Sequence, residues 1–193
     1  MTGPRERLID GAIELVREQG VTGAGLTALL TRTGTSRNSL YQHFPAGKGE
    51  LVAAATDTAG ARMTALLDRF LAAGPREFPS ALVDWWRKNL IRGEFGAGCP
   101  IAGAALAESE PAVQAAAAAA LRNWTDQLAR ALTDAGVAPE SARSCASFVI
   151  SSFEGAIIQA RALKSTTPLD DVAVQLAIVL AHHLDGVAPL ETR

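Results

Sequence analysis

Residues that build catalytic and metal centres are scarce in this chain of 193 amino acids: two cysteines, three histidines and one tyrosine. Cys99 and Cys145 lie far apart with no Cys/His spacing around them, which excludes a zinc site and gives a disulfide framework no basis. Aromatic residues are 5% of the total. No apolar run approaches the roughly 20 residues a membrane-spanning helix needs. The stretch Met1 to Leu15 mixes charges and lacks the apolar centre of a secretory signal. A soluble, cytoplasmic protein is the expectation. An excess of one charge is missing too: the net charge is −2, so any nucleic-acid surface has to be local. Period-two alternation of apolar and polar residues is absent, which argues against strands.

What is present is helical. Apolar residues recur at spacings of three and four, and 48% of the chain is hydrophobic, enough for a substantial core. Glycine and proline then divide the sequence. The pattern predicts a helix over about 5–19, with Leu8, Ala12, Leu15 and Val16 on its apolar stripe and Gly20 closing it. A second spans about 26–33 with Leu26, Leu29 and Leu30 inward, and Gly34-Thr35 forms a tight turn. A short third helix covers 36–44, and Pro45-Ala46-Gly47 breaks it before Lys48 opens a helix to about Phe70. Further helices are expected at about 79–91, from Pro100 to near Glu108, and at 111–135, 139–164 and 168–184. Six consecutive alanines, 115–120, sit inside one of these and read as a stretch of high helix propensity. The fold class is therefore all-α.

The informative stretch is 25–52. Two helices joined by a short turn at Gly34 have the form of a helix-turn-helix. On the second, Leu40 and Phe44 are four apart and face back to the core. Arg37 stands at its start, and Asn38, Ser39, Tyr41 and Gln42 take the other arc, where side chains reach base edges or phosphates in a major groove. From Leu26 to Lys48 there are three basic residues, Arg32, Arg37 and Lys48, and no acidic one. Lys48 also begins a helix, a place that favours a phosphate. A plain helical hairpin in a bundle core is the competing reading of the same pattern.

The run Gly34-Thr35-Ser36-Arg37-Asn38-Ser39-Leu40-Tyr41-Gln42-His43-Phe44, followed by Lys48 and Leu51, resembles the recognition-helix signature of TetR/AcrR-type repressors. Arg7-Leu8-Ile9, Ala12 and Gly20 match that family's first helix. Gly25-Leu26, Phe44-Pro45 with Gly47-Lys48, and Gly98-Cys99-Pro100-Ile101 are similar to the lincomycin-resistance-repressor (LmrA/YxaF-type) subgroup. The resemblance implies a DNA-binding domain over 1–55 and a helical effector-binding and dimerisation domain over 56–193. It puts base and backbone contacts on Arg37, Asn38 and Ser39, with Gln42 beside them, and phosphate contacts on Tyr41, His43 and Lys48; Ser36 belongs to the same DNA-binding set. His43 reads equally as a buried structural histidine. Two departures stand out. Asn38 replaces the small residue common before Ser-Leu-Tyr, and Ala24-Gly25 replaces a threonine pair, with Thr27 a partial substitute.

The family's remaining helices imply a ligand pocket and an interface between two copies. Pocket candidates are Trp85, Trp86, Asn89, Phe95 and Cys99, then Trp124, Phe148, Phe153 and Glu154, with Gln159 as a further polar group. The same aromatics are also compatible with ordinary core. Interface candidates are Ile157, Ala160, Val172, Leu176, Val179 and His183. The implied partners are a pseudo-palindromic double-stranded operator, a small, largely apolar effector and a second copy of the chain. No cofactor is implied. An enzyme using Cys99 with His182 or His183 lacks any orienting motif. Cys145 reads as an inert buried thiol, and Cys99 as either that or a redox sensor.

Overall fold

A computed structural model describes residues 3–186. Among them are nine helices and no strand: α1 (Pro4–Gly23), α2 (Leu26–Thr33), α3 (Arg37–His43), α4 (Lys48–Leu71), α5 (Phe78–Arg92), α6 (Pro100–Ala105), α7 (Pro111–Asp134), α8 (Pro139–Leu163) and α9 (Thr167–Leu184). Proline occupies the first or second position of α1, α5, α6, α8 and α9. Its fixed φ suits the first turn, and its missing N–H is one the helix leaves unbonded there anyway. That is why proline marked the starts so well. Two ends differ from expectation. Gly20 (φ 72°, ψ 178°) breaks the helical path as expected, but the chain resumes helical form to Gly23 before Ala24 caps it. The short helix α6 stops at Ala105 instead of near Glu108.

The chain forms two compact units. The first comprises, among the described residues, 3–64 and Gly96–Arg122. Its core holds Leu8, Ala12, Leu15, Leu29, Leu40, Phe44, Leu51, Ile101 and Val113, all buried. Leu26 and Leu30 are only partly covered. A Cβ on Gly11 would collide with the Thr33 methyl, so the missing side chain is what lets α2 end directly on α1. The segment leading into α6 is fastened to α1 by a reciprocal pair of bonds. Gly98 N–H donates to the Arg17 carbonyl at 2.9 Å, and Arg17 Nε donates to the Gly98 carbonyl at 3.0 Å. Gly103 then packs α6 against the Val16 carbonyl, 3.3 Å from where its Cβ would stand.

The second unit comprises, among the described residues, Ala65–Phe95 and 123–186. Residues 164–166 connect α8 to α9, and these two helices form the unit's most extensive helix pair, with α5 packed against both. The core contains Phe78, Trp86, Leu90, Trp124, Leu132, Phe153, Leu169 and Leu180. Phe78 and Phe153 meet edge to face, ring centroids 6.4 Å apart, a favoured aromatic geometry. Arg87 links Asp84 on its own helix to Asp170 on α9. The hydrogen bond to Asp170 raises the Arg87 guanidinium further above its ordinary value.

Candidate nucleic-acid interface

The short α3 is held from both ends by local chemistry. Gly34 takes the left-handed conformation (φ 61°, ψ 26°) that ends α2, which glycine adopts without steric cost. Ser36 then serves as the N-cap of α3, its hydroxyl accepting the Ser39 N–H at 3.1 Å. Such a cap contributes about 1 kcal/mol. Leu40 (0% exposed) and Phe44 (1%) anchor the inner face. Arg37, Asn38, Gln42 and His43 are exposed, Tyr41 is nearly half-exposed and Ser39 is partly exposed beside the cap it completes. The exposure of His43 removes the buried-histidine alternative. Tyr41 lies over Gly47, whose φ of +82° and missing side chain leave room for the ring: a Cβ there would be 3.3 Å from Tyr41 Cε1. Thr27 is exposed on the first turn of α2.

The positive patch is smaller than the sequence count implied. Arg32 is bound by Glu18 (2.8 Å) and Glu14 (3.3 Å) of α1. Lys48 is half-buried, its ammonium donating to the Val21 carbonyl at 3.3 Å with Glu110 at 4.0 Å. Of these three basic residues, Arg37 alone has no ion pair among the described residues. A cation that sequence reasoning missed adds to this face: Arg5 of α1 sits over the Phe44 ring, 5.4 Å from its centroid, at the C-terminal end of α3. No motif spacing connects residues 5 and 44, and only a check of basic residues at the start of α1 would have found it.

The Arg32 hydrogen bond holds the Glu18 carboxyl below the usual carboxylate range. A depressed folded-state value means the pair stabilises above the ordinary glutamate pKa, and that contribution is lost as pH falls through the folded value. Because the pair is a third exposed, about 0.5 kcal/mol is the fair scale. Glu18→Gln is expected to flatten the acid limb of the stability-versus-pH curve by that amount. Urea titrations between about pH 3 and 7 check it.

The pocket candidates divide. Trp86, Trp124 and Phe153 are buried in the second unit, and Trp85, Asn89, Phe95 and Glu154 are partly covered there. Trp85 and Trp86 stand edge to face at 4.9 Å. The Asn89 amide donates to the Trp85 carbonyl at 2.7 Å. Phe148 is half-exposed on the outer face of α8, away from the buried set. Cys99 belongs to the first unit, buried at the N-cap of α6. Cys145 is buried in the second unit, and burial pushes its thiol up, as an inert core thiol requires.

Of the interface candidates, Ile157, Ala160 and Leu176 are buried within the chain itself, so their contacts are internal. Val172, Val179 and His183 are partly exposed. The large apolar side chains that α8 and α9 leave exposed are instead Phe148, Ile158, Leu163, Val174 and Ile178. Periodicity finds an apolar stripe on each helix but does not tell which stripe the chain covers itself. Among the described residues, no cluster of three metal-ligating side chains occurs, and no helix is long and apolar enough to cross a membrane.

Comparison with known proteins agrees with this geometry. Residues 8–55 match the profile of the bacterial regulatory proteins of the tetR family, and residues 75–175 that of the C-terminal domain of LmrA/YxaF-like transcriptional regulators. An HTH-type transcriptional regulator of Mycobacterium tuberculosis is 36% identical over 191 residues, covering 95% of this chain and 97% of its own. LmrA of Bacillus subtilis, also an HTH-type transcriptional regulator, is 26% identical over 86% of this chain and 90% of its own. The solved structure of a TetR regulatory protein from Rhodobacter sphaeroides superposes with a TM-score of 0.80 at 20% identity, covering 90% of this chain and 97% of that one. A TetR regulator from Chloroflexus aurantiacus gives 0.78 at 25% identity, with coverage of 93% and 95%. The exposed polar arc of α3, the buried anchors behind it and matches along both halves lead to one conclusion: this chain is a DNA-binding transcriptional regulator of the TetR family, with a C-terminal half of the LmrA/YxaF-like kind.

Proposed function

We propose that the chain acts in the cytoplasm as a homodimeric repressor, binding a pseudo-palindromic operator and leaving it when a small, largely apolar effector binds. The observation that carries the reading is α3. Arg37, Asn38, Tyr41, Gln42 and His43 stand exposed on a helix pinned by Leu40 and Phe44, with Ser36 its cap. Residues 1–55 read the DNA, and residues 56–193 bind effector and partner. Arg37, Asn38, Ser39 and Gln42 contact bases and backbone; Thr27, Tyr41, His43 and Lys48 contact phosphates.

A second copy is favoured by the outer face of α8. Phe148, Ser151, Gly155, Ile158 and Ala162 recur at spacings of three and four, with no charge among them, and Val174 and Ile178 extend the apolar surface on α9. A two-fold interface sets two α3 helices into successive major grooves, giving affinity that one half-site lacks. The aromatic residues Trp85, Trp86, Trp124 and Phe153, with Asn89 and Glu154 as polar neighbours, suit an apolar effector. Effector binding displaces α4 and changes the separation of the two recognition helices, so DNA is released.

The test is selection of duplexes from a random pool, followed by binding titrations against salt. A palindromic consensus whose affinity falls steeply with salt is the expected result. Arg37→Ala should then weaken binding about tenfold, the scale of one good base contact. Weak, sequence-independent binding that survives Arg37→Ala would refute the reading.

A further inference from the structure

Lys48 does not point freely into solvent: its ammonium is occupied. It donates to the Val21 carbonyl at 3.3 Å, and the Glu110 carboxylate lies 4.0 Å away, the two side chains being about one-quarter and one-third exposed. Glu110 is itself well placed by backbone bonds. Its N–H donates to the Ala107 carbonyl, and its own carbonyl accepts from Val113 and Gln114 at the start of α7. The Gln114 side chain, in turn, donates to the Ala105 carbonyl at the end of α6 at 3.1 Å. The carboxylate therefore belongs to a defined α6–α7 turn and is not a drifting surface acid. Room for it depends on Gly49: a Cβ at that position would be 2.8 Å from Glu110 Oε2.

We propose that Glu110 is a positioning residue for DNA binding, an internal anion that holds Lys48 in the free protein and that an operator phosphate must replace. This rests on the reading of Lys48 as a phosphate contact. Both are anions and compete for the same ammonium. The free-state contact is partly solvated and therefore weak, so displacement is easy, and Glu110 tunes affinity instead of blocking it. Once displaced, the carboxylate remains near the phosphodiester and takes up a counterion, which offsets part of the counterion release that binding gains. Because Glu110 sits in the α6–α7 turn, movement of that turn changes how firmly Lys48 is held.

The experiment is a double-mutant cycle on the selected duplex, measured at several salt concentrations with the full-length protein. Glu110→Gln is expected to tighten binding by about two- to fivefold, the range of a weak ion pair, and to steepen the salt slope by up to about one per chain. In a Lys48→Ala background both changes should vanish. Gly49→Ala provides an independent arm, because it keeps both charges and only pushes the carboxylate aside; it should reproduce the tightening in part. Unchanged or weaker binding by Glu110→Gln, with Lys48→Ala still impaired, overturns the proposal and leaves the phosphate contact standing. If Lys48→Ala alters neither affinity nor slope, the reading of Lys48 fails and takes the proposal with it. A loss of affinity in Glu110→Gln at constant slope would show a purely structural role.

Discussion

Ile158→Glu is expected to yield a folded monomer that binds the operator at least about a hundredfold more weakly than the parent protein, the scale of affinity gained by joining two binding modules. Ile158 is 58% exposed in the single chain, so a glutamate there stays hydrated and leaves the internal packing of α8 alone. In the proposed two-fold dimer this face is the interface, so symmetry would bring the two like charges together. Desolvating them costs more than the isoleucines contributed. Sedimentation equilibrium and circular dichroism, run beside the DNA titration, read the three quantities separately. Gly155→Leu on the same face tests shape without charge, since a Cβ at Gly155 meets nothing within 4 Å in the single chain. An Ile158→Glu protein that stays dimeric would move the interface elsewhere. One that is monomeric yet binds operator normally would remove the need for two half-sites.

Leu40→Ala should have a large effect on folding of the DNA-binding segment. The side chain is fully buried and is, with Phe44, one of two anchors fastening α3. Removing a buried leucine side chain costs about 2–5 kcal/mol, a large part of a total stability of about 5–15 kcal/mol. A helix as short as α3 cannot persist without tertiary support, since isolated helices shorter than about 12 residues are marginal in water. Operator binding should therefore disappear along with a loss of urea resistance. Asn38→Ala, on the outer arc of the same helix, is the contrast: stability within about 0.5 kcal/mol of the parent, with an altered base preference. If Leu40→Ala kept full stability, α3 would have to be held by contacts other than these two anchors.

The elements were legible because their punctuation is local. Pro100, Pro111, Pro139 and Pro168 lie at helix starts for a reason contained in one residue, and Gly34 ends α2 for a reason contained in one dihedral angle. Leu40 and Phe44 were assignable as anchors because spacing of four places them on one face. The extension past Gly20 was less legible, since nothing in Val21-Thr22-Gly23 favours another helical turn. Site chemistry fared unevenly for the same physical reason. The exposed arc of α3 follows from helical geometry once the anchors are known, whereas charge depends on neighbours. Arg32 and Lys48 count as cations in sequence, yet Glu14 and Glu18 bind the first and Glu110 approaches the second, all from other elements of the fold.

By itself, then, the order of residues determined an all-helical chain and a helix-turn-helix with a polar arc on its second helix, both from backbone geometry and periodicities only a few residues long. The family came from the resemblance of particular residues, the run from Gly34 to Phe44 above all. The fold alone decided which cations are already engaged, that Arg5 joins the end of α3, and that α6 belongs to the unit containing α1. It also decided which stripes of α8 and α9 are already covered. Each of these is a matter of which distant side chains meet, and helical periodicity carries no information about distance across the fold.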